Sequence, residues 1–222
     1  MILLLFGPPG CGKGTQAVYL AGRFHIPAIS TGDMFRAEIK AGTILGKTVS
    51  EIMGKGGLVS DALVNDIVAS RISRPDCANG FLLDGYPRTV PQARVFGALL
   101  GQRGLPDPIV VHLDVADDPL VARLTARRQC PECRHIYNLL SQPPKVAGQC
   151  DECHAPLLIR DDDSEAVIRR RLVAYKELTG PILQFYGKSM VHTVDGNQAP
   201  EKVRSAVEAA VVDALHAVPA GK

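Results

Sequence analysis

Nine residues near the start of the chain, Gly7-Pro8-Pro9-Gly10-Cys11-Gly12-Lys13-Gly14-Thr15, have the makings of a polyphosphate cradle. Glycines let successive backbone N–H groups turn inward, and a helix opening at Lys13 adds the positive potential of its N-terminus. Lys13 is placed to reach the outer phosphates. The apolar run before the loop reads as a strand and the segment after it as a helix, the context that makes G-x-x-x-x-G-K informative. Gly14 follows the lysine where Ser or Thr would bind metal, and Thr15 comes one place later. The sequence therefore predicts a magnesium ion held less directly than in a GTPase switch. Cys11 lies near the helix N-terminus, where a thiol pKa can fall, but reads first as a small packing residue.

A second constellation is made of thiols. Cys130-Pro131-Glu132-Cys133 and Cys150-Asp151-Glu152-Cys153 are separated by 16 residues, the spacing of a zinc site. Four thiolates complete a tetrahedral shell with no open position, so the metal expected here is structural. Its job would be to staple a lobe too small to hold itself together by burial. Disulfides are the competing reading, and His135 and His154 read as bystanders. Cys77 reads as an inert buried thiol.

These groups need a frame. Met1–Phe6, Phe81–Asp84 and Ile109–Val115 are short apolar runs ending at Gly or Asp, and Ala28–Ile29 and Met190–Val194 are weaker candidates. Near-continuous hydrophobicity suits strands buried on both faces of a parallel sheet. Helical patterns begin near Lys13, Asp61, Asp117 and Asp163, and after Pro200. Strand alternating with helix predicts an α/β fold, an open parallel sheet with crossover helices. Two segments break the rhythm. Thr31–Ser60 is helical but glycine-rich, as a small mobile flap would be, and Ala126–Asp163 carries the paired cysteines as an inserted lobe.

Composition narrows the function classes. In 222 residues, 46% are hydrophobic and 22% charged, and 25 basic against 23 acidic residues leave a net charge of +2. That excludes a disordered chain, a fibre or a binder driven by net charge. The apolar run Met1–Phe6 is far too short to span a bilayer or serve as a signal-peptide core. The chain is expected to stay in the cytoplasm, where thiols remain reduced, and to meet no membrane.

Several further motifs stand in one order along the chain. They are Ser30-Thr31-Gly32-Asp33-Met34-Phe35-Arg36, then Gly80-Phe81-Leu82-Leu83-Asp84-Gly85-Tyr86-Pro87-Arg88-Thr89, then Arg123 and Arg127, Arg160-Asp161-Asp162-Asp163, and Arg171. Together with the glycine loop and the cysteines, they make the chain resemble the long-form adenylate kinases with a zinc-bearing lid. The resemblance implies a P-loop kinase-type sheet with core segments 1–29, 60–125 and 164–222, a nucleoside-monophosphate-binding flap at 30–59 and a zinc lid at 126–163. It implies transfer of a phosphoryl group from Mg-ATP to AMP, giving two ADP, by a monomer that needs no nucleic acid.

The resemblance also assigns residues. Gly10, Cys11, Gly12, Lys13, Gly14 and Thr15, with Arg127, Ile136, Tyr137 and Gln198, fall to ATP. Thr31, Arg36, Gly57, Leu58, Val59, Gly85, Tyr86, Pro87, Arg88, Gln92, Arg160 and Arg171 fall to AMP. Thr31 stands where it can cap a helix, and Gln92 can offer donor and acceptor to an adenine edge. Asp84 ends an apolar strand, where a carboxylate needs a cation, and the family places magnesium near it; a structural salt bridge is the alternative. Lys13, Arg88, Arg123, Arg160 and Arg171, with Arg127, are carried over as the clamp on the transferred group. Arg123 and Arg127 are four residues apart and are expected on one face of a helix. Of Arg169, Arg170 and Arg171, the last is expected to face the cleft.

No general base is needed, because a monophosphate oxygen is already ionised at neutral pH. Positioning, charge and exclusion of water must then supply the catalysis. Within the same fold, GTP as donor or another monophosphate as acceptor stays open. A zinc ribbon binding nucleic acid is disfavoured, because residues 126–163 carry five basic and six acidic residues and one aromatic, Tyr137. A slow P-loop switch would want Ser or Thr directly after Lys13 and a water-orienting residue.

Overall fold

In the computed structural model, which describes residues 1–217, the apolar runs become strands. They are β1 (Ile2–Phe6), β2 (Ala28–Ser30), β3 (Phe81–Asp84) and β4 (Ile109–Asp114), then β5 (Arg127–Gln129) and β6 (Ile136–Asn138), and finally β7 (Val191–Asp195). Five of them form one parallel sheet in the order β2-β3-β1-β4-β7, while β5 and β6 pair antiparallel by themselves. Leu4 on the central strand pairs with Leu83 on one side and Val110 on the other. The last five positions of the expected third core segment, 218–222, lie outside the described residues.

Helices follow in chain order: α1 (Lys13–Phe24), α2 (Thr31–Lys40), α3 (Ile44–Gly54), α4 (Asp61–Ile72), α5 (Val90–Gln102), α6 (Asp118–Thr125), α7 (Glu165–Ala174), α8 (Gly180–Tyr186) and α9 (Pro200–Ala217). The side-chain alternation of a strand divides the core in two. Leu3 and Leu5, with Val111 and Leu113, pack against Leu20 of α1, Leu120 and Leu124 of α6, and Val207 and Val211 of α9. Ile2, Leu4 and Phe6 face the opposite layer, with Phe35 of α2, Val64 and Val68 of α4, and Phe96 of α5. Because both faces are covered, β1 must be apolar at every position, and all five of its residues are buried. The small hairpin lobe has its own core of Cys130, Tyr137 and Cys150.

Three side-chain caps fix where the cleft helices begin. Ser30 accepts from the Asp33 N–H, Thr43 from that of Gly46 and Thr89 from that of Gln92. The cap of α2 is therefore Ser30; Thr31 is already helical and turns its hydroxyl to donate to the Gly85 carbonyl at 2.9 Å. Asp161–Asp163 form a 3₁₀ turn rather than the first turn of α7. Tyr175–Thr179 form a π-helical turn between α7 and α8.

Connections at the carboxyl ends of the parallel strands carry the chemistry. The glycine loop leaves β1, the flap helices follow β2, Asp84 ends β3, α6 and the hairpin lobe follow β4, and Gly196–Gln198 follow β7. After β1 the chain passes to β2 and β3 on one side and then to β4 on the other. The crevice at such a switch point is where open α/β sheets bind ligands.

Candidate active site

A cleft of 410 Å³ runs along that edge, walled by the glycine loop, the flap, the hairpin lobe and the start of α9. Gly7 shows why the loop is built from glycine. Its φ is +147°, and a Cβ there would lie 2.5 Å from Cys11 Sγ and 2.8 Å from the Leu113 carbonyl oxygen. Gly12 precedes α1 with φ +100° and no side-chain cap, leaving the first N–H groups of the helix for a ligand. Lys13 Nζ donates to the carbonyls of Gly7 (2.7 Å) and Pro8 (3.0 Å). The ammonium is thus held over the loop it would serve. Gly10, Cys11, Gly12, Gly14 and Thr15 line the same wall. Burial pushes the Cys11 thiol above its ordinary range, against the lowering by Lys13 beside it, in keeping with a small packing residue.

All the arginines of the expected clamp line the cleft. They come from four parts of the chain. Arg88 follows β3 and donates from Nε to the Gly85 carbonyl at 2.9 Å, and burial, reinforced by Arg171, holds its pKa below the ordinary value. Arg160 donates from Nε to Gln129 Oε1 at 2.6 Å. Burial first, then Arg127 and Arg36, push it down to about 9. Arg171 donates to the Asp162 carbonyl at 2.9 Å, while its neighbours turn away: Arg169 pairs with Glu165, and Arg170 donates to the Lys55 carbonyl. Arg123 is half-buried and has no salt bridge among the described residues. Mutually repelling guanidiniums in one recess are a standing demand for an anion.

Arg127 departs from the expected placement. α6 ends at Thr125, so Arg127 belongs to β5 of the lobe rather than to the helix bearing Arg123. Its Nε and Nη2 meet both oxygens of Asp163, at 2.7 and 2.5 Å. Arg123 and Arg127 reach one cleft from two elements, not from one helical face.

Asp84 ends β3 half-buried and takes part in no salt bridge among the described residues, which removes the structural-pair alternative. A Cβ on Gly14 would lie 4.0 Å from its Oδ2. The small residue after Lys13 therefore leaves open space beside this carboxylate.

On the flap side Arg36, Gly57 and Leu58 line the cleft, as do Gly85 and Pro87 beyond β3. Arg36 is braced by Asp33 Oδ1, at 3.1 Å from Nε and 2.6 Å from Nη2. Thr31, Val59, Tyr86 and Gln92 stand behind this wall, all buried. Tyr86 donates to Asn65 Oδ1 at 2.7 Å. The Gln92 amide, expected at an adenine edge, is engaged within the protein: its Oε1 accepts from the Arg88 N–H (2.7 Å) and its Nε2 donates to Asp61 (2.8 Å). Its amide braces the backbone of Arg88.

On the opposite side Ile136, Tyr137 and Gln198 line the cleft. The Tyr137 hydroxyl is committed to the lobe, accepting from the Asp151 N–H at 2.7 Å, and the ring tilts against His135 at 4.6 Å. With that ring buried, the lobe presents no stacking platform. Gln198 is exposed and donates to Asp195.

Other residues in the cleft carried no assigned role from sequence: Gln16, Asp33, Asp162, Tyr175 and Thr179. Asp33 and Asp162 lie within quoted motifs, and pairing each with its arginine would have found them. Tyr175 and Thr179 depend on the π-helical turn, for which the sequence holds no signal. Thr179 donates to the Arg88 carbonyl at 3.1 Å.

The four Sγ atoms of Cys130, Cys133, Cys150 and Cys153 lie within 4.8 Å of one another, and no histidine joins them. The two Cys-x-x-Cys turns repeat one backbone pattern. Cys130 N–H donates to the His135 carbonyl and Cys150 N–H to that of Ala155, both at 2.9 Å. Arg134 and His154 take positive φ of 64° and 61° at matching places. All four thiols are free, so no disulfide closes the lobe, and the set fits a tetrahedral structural metal.

Among the described residues no helix is long and apolar enough to cross a membrane. The adenylate kinase family model matches residues 5–191. The chain is 45% identical over 214 residues to an adenylate kinase of Trichlorobacter lovleyi, covering 96% of this chain and all of that protein. It is 46% identical over 212 residues to one from Symbiobacterium thermophilum (95% and 98% covered) and 47% identical over 205 residues to one from Pelobacter propionicus (92% and 93%).

Proposed function

The chain belongs to the adenylate kinase family, and we propose that the clustered cations of its cleft hold two nucleotides end to end for in-line transfer. It is a nucleoside monophosphate kinase that passes the terminal phosphoryl group of ATP to AMP and yields two ADP. One observation carries the assignment of roles: Lys13, Arg88, Arg123, Arg127, Arg160 and Arg171, drawn from separate elements, all line a single recess.

The donor's phosphates lie along the N–H groups of Gly10–Thr15, with Lys13 released from the loop carbonyls onto the outer phosphates. Its base rests between the lobe, at Arg127, Ile136 and Tyr137, and the loop at Gln198. The acceptor's base lies over Gly57, Leu58 and Val59, backed by Thr31, Gly85, Tyr86 and Pro87. Its phosphate is gripped by Arg36, Arg88, Arg160 and Arg171. Gln92 presents its amide to the acceptor base or keeps the Arg88 backbone in place, the latter supported by its two bonds.

A phosphate oxygen of the acceptor attacks the terminal phosphorus while the bridging oxygen departs, and charge spreads over the equatorial oxygens in flight. The arginine forks and Lys13 stabilise that charge without giving or taking a proton. Asp84 is the residue that would hold magnesium, with its half-buried carboxylate outside any salt bridge and open space beside Gly14. When bound, the ion neutralises phosphate charge and orients the donor. Cys130, Cys133, Cys150 and Cys153 would hold zinc, which ties the lobe together and takes no part in the chemistry.

Residues 30–59 act as the flap and 126–163 as the lid, closing to keep water from a site that would otherwise hydrolyse ATP. The protein acts as a monomer in the cytoplasm, as the family resemblance implies. The test is ADP formation from ATP or GTP with a panel of monophosphates. AMP with ATP is expected to give the highest kcat/KM, and UMP or CMP turning over faster than AMP would overturn the acceptor assignment.

A further inference from the structure

Across the mouth of the cleft, the flap and the cysteine lobe meet through charges that the proposed chemistry does not use. Lys40, the last residue of α2, has Nζ 4.0 Å from Oε1 of Glu132, which stands between Cys130 and Cys133. At the other end of α2, Asp33 feels the lobe as well. Burial pushes its carboxyl up, but Arg36, then Arg160 and Arg134, more than offset this and hold it below the usual carboxylate range. Arg160 and Arg134 both belong to the lobe. The turn from Cys130 to Arg134 therefore brings Glu132 to the basic end of α2.

That turn is a fixed platform. The Arg134 N–H donates to the Cys130 carbonyl at 3.1 Å, and the Cys130 N–H donates to the His135 carbonyl at 2.9 Å. Such a closed turn fixes the backbone from which Glu132 reaches toward Lys40.

We propose that Glu132 of the lobe forms an electrostatic latch with Lys40 of the flap, making both of them positioning residues for closure. The proposal rests on the two-nucleotide reading of the cleft and adds to it what holds the mouth shut. Glu132 and Lys40 side chains are 66% and 73% exposed, so the pair is weak and easily screened. A weak latch suits a site that must reopen on every turnover.

The test uses the full chain with distance labels introduced as non-natural amino acids at Thr48 of the flap and Val146 of the lobe, both exposed. In the free protein at low salt, Glu132→Lys and Lys40→Glu are each expected to lengthen the mean label distance. The double exchange is expected to restore it, and about 0.5 M salt to abolish the differences. In parallel, Kd for a dinucleoside pentaphosphate is expected to rise about threefold in each single variant and to recover in the exchange. If the exchange does not restore the distance, or the single variants behave alike at low and high salt, the latch is overturned. A wild-type protein that failed to bind the dinucleotide would instead overturn the two-nucleotide reading, while the distance measurement would still decide the latch.

Discussion

The guanidinium of Arg127 meets the carboxylate of Asp163 edge-on, Nε to Oδ2 and Nη2 to Oδ1, and the Asp163 side chain has no exposed surface. Arg127 stands where the chain enters the lobe and Asp163 where it leaves. Arg171 Nη1 lies 3.5 Å from the same Oδ1. One buried carboxylate thus clasps the base of the lobe and orients two cleft arginines.

Asp163→Asn keeps the volume and removes the charge. Breaking one side of a buried pair costs about 3–5 kcal/mol. The variant is expected to melt roughly 6–20 °C lower by calorimetry, with KM for ATP raised about tenfold as Arg127 loses its brace. An unchanged melting temperature would show that the pair contributes nothing.

Lys13→Met should leave the fold intact, because the ammonium's partners are carbonyls of the glycine loop and Lys13 belongs to neither apolar layer. Its kcat is expected to fall at least about a hundredfold, as for other single donors to transition-state charge. Circular dichroism and steady-state ADP formation together check this. Near-normal turnover would end the assignment.

Chelation should act on the lobe first. Its core is three residues, two of them cysteines of the thiol cluster, so little apolar burial remains to hold it without metal. Elemental analysis is expected to give one zinc per chain. Removing the zinc is expected to lower the melting temperature and expose Tyr137 to solvent quenchers before the main sheet unfolds. A metal-free protein with the same Tyr137 protection would refute the role.

Gln16→Leu is expected to stabilise the protein. Gln16 is 3% exposed and its Oε1 is buried without a partner among the described residues, a desolvated acceptor that a hydrocarbon of similar shape would not leave unmet. A gain of about 1 kcal/mol raises the melting temperature by roughly 2–4 °C. A lower melting temperature would mean that the amide is satisfied in solution.

What the sequence made legible follows from chemistry that repeats locally. β1 is readable because a strand covered on both faces has to be apolar at every position, and the glycine loop because no side chain fits at Gly7. The cysteine spacing is readable because it mirrors the metal's geometry. Arg127 was misplaced because nothing local marks α6 as ending two residues earlier. Gln92 is expected from its motif to face an adenine edge, and its two partners, Asp61 and the Arg88 backbone, meet it only in the folded chain. Ser30 and Thr31 are both good caps, and which one serves depends on the Gly85 carbonyl that draws Thr31 away. The π-helical turn at Tyr175–Thr179 is a tertiary outcome, tied by Thr179 to Arg88 and by Tyr175 to His112.

The lobe's separate three-residue core divides the labour of surviving heat. Packing errors among Cys130, Tyr137 and Cys150 do not propagate into the layers on either side of β1, since those layers share no residue with them. Natural variation can therefore rebuild this excursion, exchanging thiols for other polar ties, while the strand register stays as it is. Thermal endurance and sheet architecture become two traits that selection can tune one at a time.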